Sequence, residues 1–106
     1  MSEFKENAQL FRILSHPARL QILDILRGGE ECVCHIQSLL NKRQAYVSQQ
    51  LMVLRDAGLV TDRKDGLNVF YRLADPAVAD LLKVVLGPVE ERASCQETAC
   101  PHCHSS

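Results

Sequence analysis

Apolar residues recur along this chain at helical spacing in five stretches and at alternating spacing in one. Phe4, Ala8, Phe11 and Leu14 put an apolar face on a helix over residues ~3–14. Ser15-His16-Pro17 interrupts it. Pro17 suits the first turn of a second helix, where its missing amide proton has no intrahelical partner to lose. Leu20, Leu23, Ile25 and Leu26 give that helix a buried face, and Gly28-Gly29 stops it. A short third helix is expected from ~Cys34 to Leu40, with Ile36, Leu39 and Leu40 turned inward. Asn41-Lys42-Arg43 makes a turn into a fourth helix, ~Gln44 to Ala57, which buries Val47, Leu51 and Leu54 at i, i+4 and i+7 and is capped by Gly58. All these apolar positions read as core.

The period then changes from 3.6 to 2. Residues 59–64 and 67–73 flank Asp65-Gly66, a strong short-range hairpin signal. Asp75-Pro76 opens a last helix, with Val78, Leu81, Leu82, Val85, Leu86 and Val89 on one stripe and Pro88 near its end, where it kinks or frays the helix. Beyond Ala93 no periodicity survives. The chain divides into a domain over 1–92 and a Cys/His-containing tail over 93–106. Four helices, a hairpin and a helix is the order of a winged helix-turn-helix, an α+β but mostly α fold of five helices and a two-stranded β-hairpin wing.

Charge sharpens this picture. The 106 residues carry a net charge of −1, which argues against a uniformly basic coat. Residues 41–73, however, hold six basic and three acidic groups, a net +3 inside a neutral-to-acidic chain. Local charge of this kind steers a phosphate partner. Gln44, Tyr46, Ser48 and Gln49 on the open side of the fourth helix are side chains that hydrogen-bond base edges in a major groove. Lys42, Arg43, Arg63, Lys64 and Arg72, from the turn and the hairpin, supply phosphate contacts. A polar helix face alone is usually just solvated. A short helix, a tight turn and a basic hairpin around it make double-stranded DNA the expected partner.

Five cysteines are a high share for 106 residues. The N-terminus lacks the basic-then-apolar layout of a signal peptide and no apolar run spans a membrane, so a cytoplasmic location is expected. In a reducing compartment, clustered thiols are metal ligands or redox sensors more often than disulfides. Cys32 and Cys34 stand one residue apart at the start of the third helix, where the helix N-terminus lowers a thiol's pKa and makes the thiolate available to a soft, thiophilic ion. The competing reading is two small buried hydrophobes. Their position at a helix start, off its buried stripe, favours ligation.

The run Gln44-Ala45-Tyr46-Val47-Ser48-Gln49-Gln50-Leu51, continued by residues 53–60, resembles the ArsR/SmtB family of metal-responsive repressors. Residues 14–23 match that family's entry to its second helix, and Gly66 with Tyr71-Arg72-Leu73 match its wing. The resemblance covers residues ~8–90. Arg43 stands where the family often has a serine cap, and Gln50 where it often has histidine. The resemblance implies a homodimer through the first and last helices, hence an inverted-repeat operator. It also implies an arsenic, cadmium or lead site at Cys32-Val33-Cys34. The family's other common site, on the last helix, does not carry over: its ligand positions fall on Asp75, Ala77, Pro88 and Glu91, two of which cannot ligate.

Two thiols do not complete a site. Trivalent arsenic or antimony takes three, and cadmium, lead or zinc three or four ligands. Cys95, Cys100 and Cys103 in the tail either complete the Cys32/Cys34 site, in the same or the partner protomer, or form a second site. His102 and His104 are ordinarily solvated, though zinc recruits such residues, and His16 and His35 read as structural or capping. The chain is thus expected to be a homodimeric repressor and not an enzyme. It would bind operator DNA as the apo-protein and leave it on binding As(III), Sb(III), Cd(II), Pb(II) or Zn(II). The alternative is a redox- or persulfide-sensing repressor of the same fold. A thiol-disulfide exchanger built on Cys100-Pro101-His102-Cys103 is discounted, because that motif lacks the strand-helix framework such chemistry uses.

Overall fold

The structure is a computed structural model and describes residues 2–89. The 93–106 segment, with Cys95, Cys100, Cys103, His102 and His104, lies outside the described residues, as does Glu91. The elements run α1 (Ser2–Leu14), α2 (Pro17–Arg27), β1 (Glu31–Cys32), α3 (Val33–Leu40), α4 (Gln44–Asp56), β2 (Val60–Asp65), β3 (Asn68–Leu73) and α5 (Pro76–Leu86). This is the expected winged helix-turn-helix with one addition. The hairpin is part of a three-stranded antiparallel sheet in the order β1-β3-β2, its third strand supplied by the cysteine segment.

Local chemistry explains the element boundaries. Pro17 occupies the first turn of α2, and Arg27 is its last residue before Gly28 and Gly29, the latter at a φ of 135°. Asn41 ends α3 in the left-handed region at φ 55°, which a short amide side chain tolerates better than most residues. Arg43 at the N-cap of α4 makes no side-chain cap bond, consistent with its replacing the serine common there. The Leu59 amide donates to the Leu54 carbonyl at 3.0 Å, closing α4 past Gly58 at φ 79°. The hairpin pairs Asp65 with Asn68, so the turn residues are Gly66 and Leu67, one position later than Asp65-Gly66 suggests. Gly66 at positive φ in first place meets the need of a two-residue hairpin and leaves Leu67 in solvent. Asp75 caps α5, accepting from the Ala77 amide at 2.9 Å. That helix ends at Leu86, so Pro88 follows it without kinking it.

Ile22, Leu23, Ile36, Val47, Leu51, Leu54, Val60, Val78 and Leu82 form the dry centre of the domain. Some expected core residues lie outside it. Leu39 of α3 is exposed, because Ile36 and Leu40 already fill the inward side of a helix only eight residues long. In α1 the inward contacts come from Leu10, Ile13 and Leu14, while Phe4 and Phe11 occupy another face and are 72% and 57% exposed. On α5 the stripe starts in the core at Val78 and Leu82 and runs off the protomer at Val85 and Leu86, with Val89 exposed beyond the helix end. The protomer therefore carries uncovered apolar surface on its first and last helices.

Candidate functional site

α3, the three-residue turn and α4 form a helix-turn-helix, and α4 is set by its buried side. Val47, Leu51 and Leu54 are completely buried, so the opposite side must face solvent. Gln44 and Gln49 are exposed there, and Ser48 and Tyr46 are half-buried, Tyr46 leaning on the core. Lys42 and Arg43 project from the turn, and Arg63, Lys64 and Arg72 are exposed on the wing. Gln50 of the fourth helix, where the sequence departs from the family pattern, has a structural role. Gln50 is buried, and its Oε1 accepts from Arg19 Nε at 2.9 Å. Arg19 also donates to the Ile13 carbonyl at 3.4 Å, so one guanidinium joins α1, α2 and the reading helix.

Two wing cations are occupied. Arg72 Nε donates to Thr61 Oγ1 at 3.1 Å. Arg63 donates to both oxygens of Glu30, from Nε at 2.9 Å and from Nη2 at 2.6 Å. The hydrogen bonds from Arg63 hold the Glu30 carboxyl below its ordinary pKa, and the same bonds raise that of Arg63.

Cys32 and Cys34 converge, with their Sγ atoms 2.6 Å apart. Cys32 is the N-cap of α3, and its sulfur accepts the His35 amide at 3.3 Å. Sequence reasoning placed both thiols at the helix margin. Only Cys34 is partly open, whereas Cys32 is 1% exposed and packs on Phe70, its partner across β1–β3. Beside them Glu31, also buried, pairs with His35 Nδ1 at 2.5 Å. The i, i+4 spacing of Glu31 and His35 was a visible signal for that pair. The Arg19–Gln50 and Glu30–Arg63 contacts, 31 and 33 residues apart, had no local signature.

A cleft of about 450 Å³ opens beside the thiols. Cys32, Cys34 and Gln37 line one side, Gln44 and Ser48 of α4 another, and Leu67 to Val69 of the wing close it. The structure thus brings the thiol pair and the start of the reading helix to one place. It does not assemble a full metal site: among the described residues no group of three or more His, Cys, Asp or Glu side chains is arranged to hold an ion. No helix among them is long and apolar enough to cross a membrane.

A winged helix with a polar-faced second helix and a basic wing defines a DNA-binding regulatory domain. Comparison with known proteins agrees. Residues 16–62 match the family described as "Bacterial regulatory protein, arsR family". The chain is 42% identical over 80 residues to the biofilm growth-associated repressor of Agrobacterium fabrum, covering 76% of this chain and 68% of that protein. It is 41% identical over 78 residues to the arsenical resistance operon repressor of Escherichia coli, covering 73% and 67%. The solution structure of a homodimeric winged helix-turn-helix DNA-binding domain from Mycobacterium bovis superposes with a TM-score of 0.73 at 33% identity, covering 80% of this chain and 79% of that one. The chain belongs to the ArsR/SmtB family of transcriptional repressors. It is a regulator and not an enzyme.

Proposed function

We propose that this protein is a homodimeric repressor that holds operator DNA as the apo-protein and releases it when a thiophilic metal(loid) binds Cys32 and Cys34. The observation that carries this reading is the convergence of two sulfurs at the N-cap of α3, on a cleft whose other side is the first turn of α4. An ion drawn to both thiolates changes the spacing and orientation of Cys32 and Cys34. Cys34 belongs to α3, which packs directly on α4. A shift of α3 moves the reading helix, and in a twofold dimer it moves the two reading helices out of phase with the operator.

Dimerisation is supported by the uncovered Phe4, Phe11, Val84 and Val85 on α1 and α5 and by the homodimeric M. bovis domain. An inverted-repeat operator follows from that symmetry. Direct DNA contacts are assigned to Gln44, Tyr46, Ser48 and Gln49 for bases, and to Lys42, Arg43, Lys64 and Arg72 for phosphates, with Arg63 taken up separately below. The E. coli relative's name points to arsenic chemistry, which leaves a third ligand to be found.

The tail thiols Cys95, Cys100 and Cys103 are the candidates, completing this site or forming a second one, and the placement of Gly87 to Val89 favours the same protomer. Arg27 Nη1 donates to the Gly87 carbonyl at 2.8 Å, and a Cβ on Gly28 would stand 3.7 Å from Val89 Cγ1. The chain therefore leaves α5 beside the end of α2, four residues ahead of Cys32. Cys95 is six residues past Val89, a reach of up to ~20 Å.

Operator duplex selected from a random pool and titrated with arsenite, cadmium and zinc tests the reading. Affinity should fall by about 5–150-fold, the usual range of allosteric coupling. No weakening by any of the three overturns it. Metal stoichiometry of a Cys32→Ser/Cys34→Ser variant and of a truncation after Arg92 then distinguishes one composite site from two. Loss of binding in either variant alone means one site, and half retention in each means two. The approach of the two sulfurs also favours a second reading, oxidation of both thiols to a disulfide with two protons and two electrons passing to a persulfide or disulfide oxidant. Mass spectrometry of persulfide-treated protein, with operator affinity measured alongside, tests it. Unaltered affinity of the oxidised form rules it out.

A further inference from the structure

The outer face of the wing sheet carries a row that runs from the thiols to a charged pair. Cys32 on β1 and Arg63 on β2 both lie directly opposite Phe70 of the central strand β3. Side chains opposite one another across an antiparallel sheet point to the same face, so the three form one continuous line. Cys32 and Phe70 make a small buried cluster of their own, apart from the main core, with Cys34 packed against it. The Arg63 guanidinium lies over the Phe70 ring, 4.6 Å from its centroid. Its fork holds both carboxylate oxygens of Glu30, and Nη1 is 3.8 Å from Asp65. Glu30 is two residues before Cys32, which closes the line into a ring: Glu30, Cys32, Phe70, Arg63 and back to Glu30.

We infer that Glu30 and Arg63 form a clamp that ties the thiol-bearing strand to the wing, so that the wing's placement on DNA responds to the state of the cysteine pair. β1 has only two residues and two pairings with β3, too few to hold an edge strand firmly. The bidentate pair adds a second attachment across the sheet. Arginine is required because lysine offers neither a planar fork nor a stacking face. In this arrangement Arg63 is a positioning residue, and its donors are turned to Glu30 instead of a phosphate. A ligand that spreads Cys32 and Cys34 pushes on Phe70 from one side and draws Glu30 on the other, and both movements reach the wing tip. The coupling to ligand rests on the effector reading proposed above, whereas the clamp itself does not.

The test uses the full chain as wild type, Glu30→Gln, Arg63→Lys and the double variant, with operator binding measured over a salt series. The clamp predicts that each single change weakens binding several-fold and that the double change is no worse than the weaker single. It also predicts that Arg63→Gln, measured alongside, leaves the salt slope unchanged, since the guanidinium is turned to Glu30 and not to a phosphate. Arg63 is instead an ordinary phosphate contact, and the clamp is overturned, if Glu30→Gln tightens binding, Arg63→Lys behaves as wild type and Arg63→Gln lowers the salt slope by about one. Repeating the series with arsenite tests the coupling: the arsenite-induced loss of affinity should shrink several-fold in Glu30→Gln and Arg63→Lys at wild-type arsenite stoichiometry. An undiminished loss overturns the coupling. If arsenite fails to release the wild type, the arsenite effector falls and the coupling with it, while the effector-free cycle still decides the clamp.

Discussion

The two sides of the thiol cleft are held in place by different forces. On one side α4 sits on Val47, Leu51 and Leu54, all completely buried, and its exposed residues are free to be chosen for contact. On the other, the β1–α3 junction is a two-residue strand whose buried side chains are Glu31 and Cys32. Besides its two pairings with β3 and the Cys32–Phe70 contact, it carries the polar Glu31–His35 and Glu30–Arg63 pairs and the Cys32 N-cap bond. Aliphatic packing is insensitive to ligands and gives one position. Hydrogen bonds and ion pairs are exchanged more readily than packed side chains, which suits that side of the cleft to the ligand-driven movement proposed above.

The sharpest way to break this contrast is to remove a large side chain from one side and a sulfur from the other. Leu51→Ala leaves a cavity among fully buried neighbours and should cost about 2–5 kcal/mol of unfolding free energy. Cys32→Ser should cost less, about 1–3 kcal/mol, because serine at an N-cap still accepts from the His35 amide while its hydroxyl replaces a sulfur buried against Phe70. Urea denaturation measures both. Equal losses would mean that the thiol strand is as much a part of the core as the reading helix.

Next in size are effects on DNA alone. Gln44→Ala and Gln49→Ala should each lower operator affinity by about 1–3 kcal/mol wherever the glutamine makes a bidentate base contact, and relax preference at that base pair, with no change in stability. Gln50→Leu should act in the opposite way. It leaves the Arg19 guanidinium without its acceptor between helices and should cost about 1–3 kcal/mol in stability, with sequence preference retained. Operator selections beside melting curves separate the two classes. A changed sequence preference in Gln50→Leu would move that residue from scaffold to reading surface.

The same contrast governs what could be read from the chain without a structure. α2, α4 and α5 were legible because apolar periodicity and caps are local signals, from Pro17 and Gly28 at the ends of α2 to Asp75-Pro76 at the start of α5. Leu39, Phe4 and Phe11 were misplaced, because periodicity marks an apolar face without saying whether this protomer covers it. The strand character of Glu31-Cys32 was invisible: two residues show no alternation, and their pairing partner lies at Phe70 and Tyr71. The thiols were found by residue type and spacing. Their connection to the wing depends on β1-β3-β2 register, which nothing within the local sequence reports.

A smaller effect probes where the two sides meet. Tyr71 pairs with Glu31 across β1–β3 but packs its ring into the main core, so it belongs to both. Burial raises its pKa above the usual 10.0, and the nearby Asp62 charge adds to this, because both oppose a phenolate. A raised folded-state value means that stability is complete below the unfolded pKa and is lost as pH rises through the folded one. Alkaline solution above pH ~10 should therefore loosen the sheet at the thiol strand. Tyr71→Phe removes the titration, keeps the ring and should flatten that alkaline decline while leaving neutral-pH stability nearly unchanged. Melting temperature followed from pH ~8 to ~11 reads the difference. A decline as steep in Tyr71→Phe as in wild type would place the alkaline-sensitive group elsewhere, and would count Tyr71 with the inert aliphatic side of the cleft.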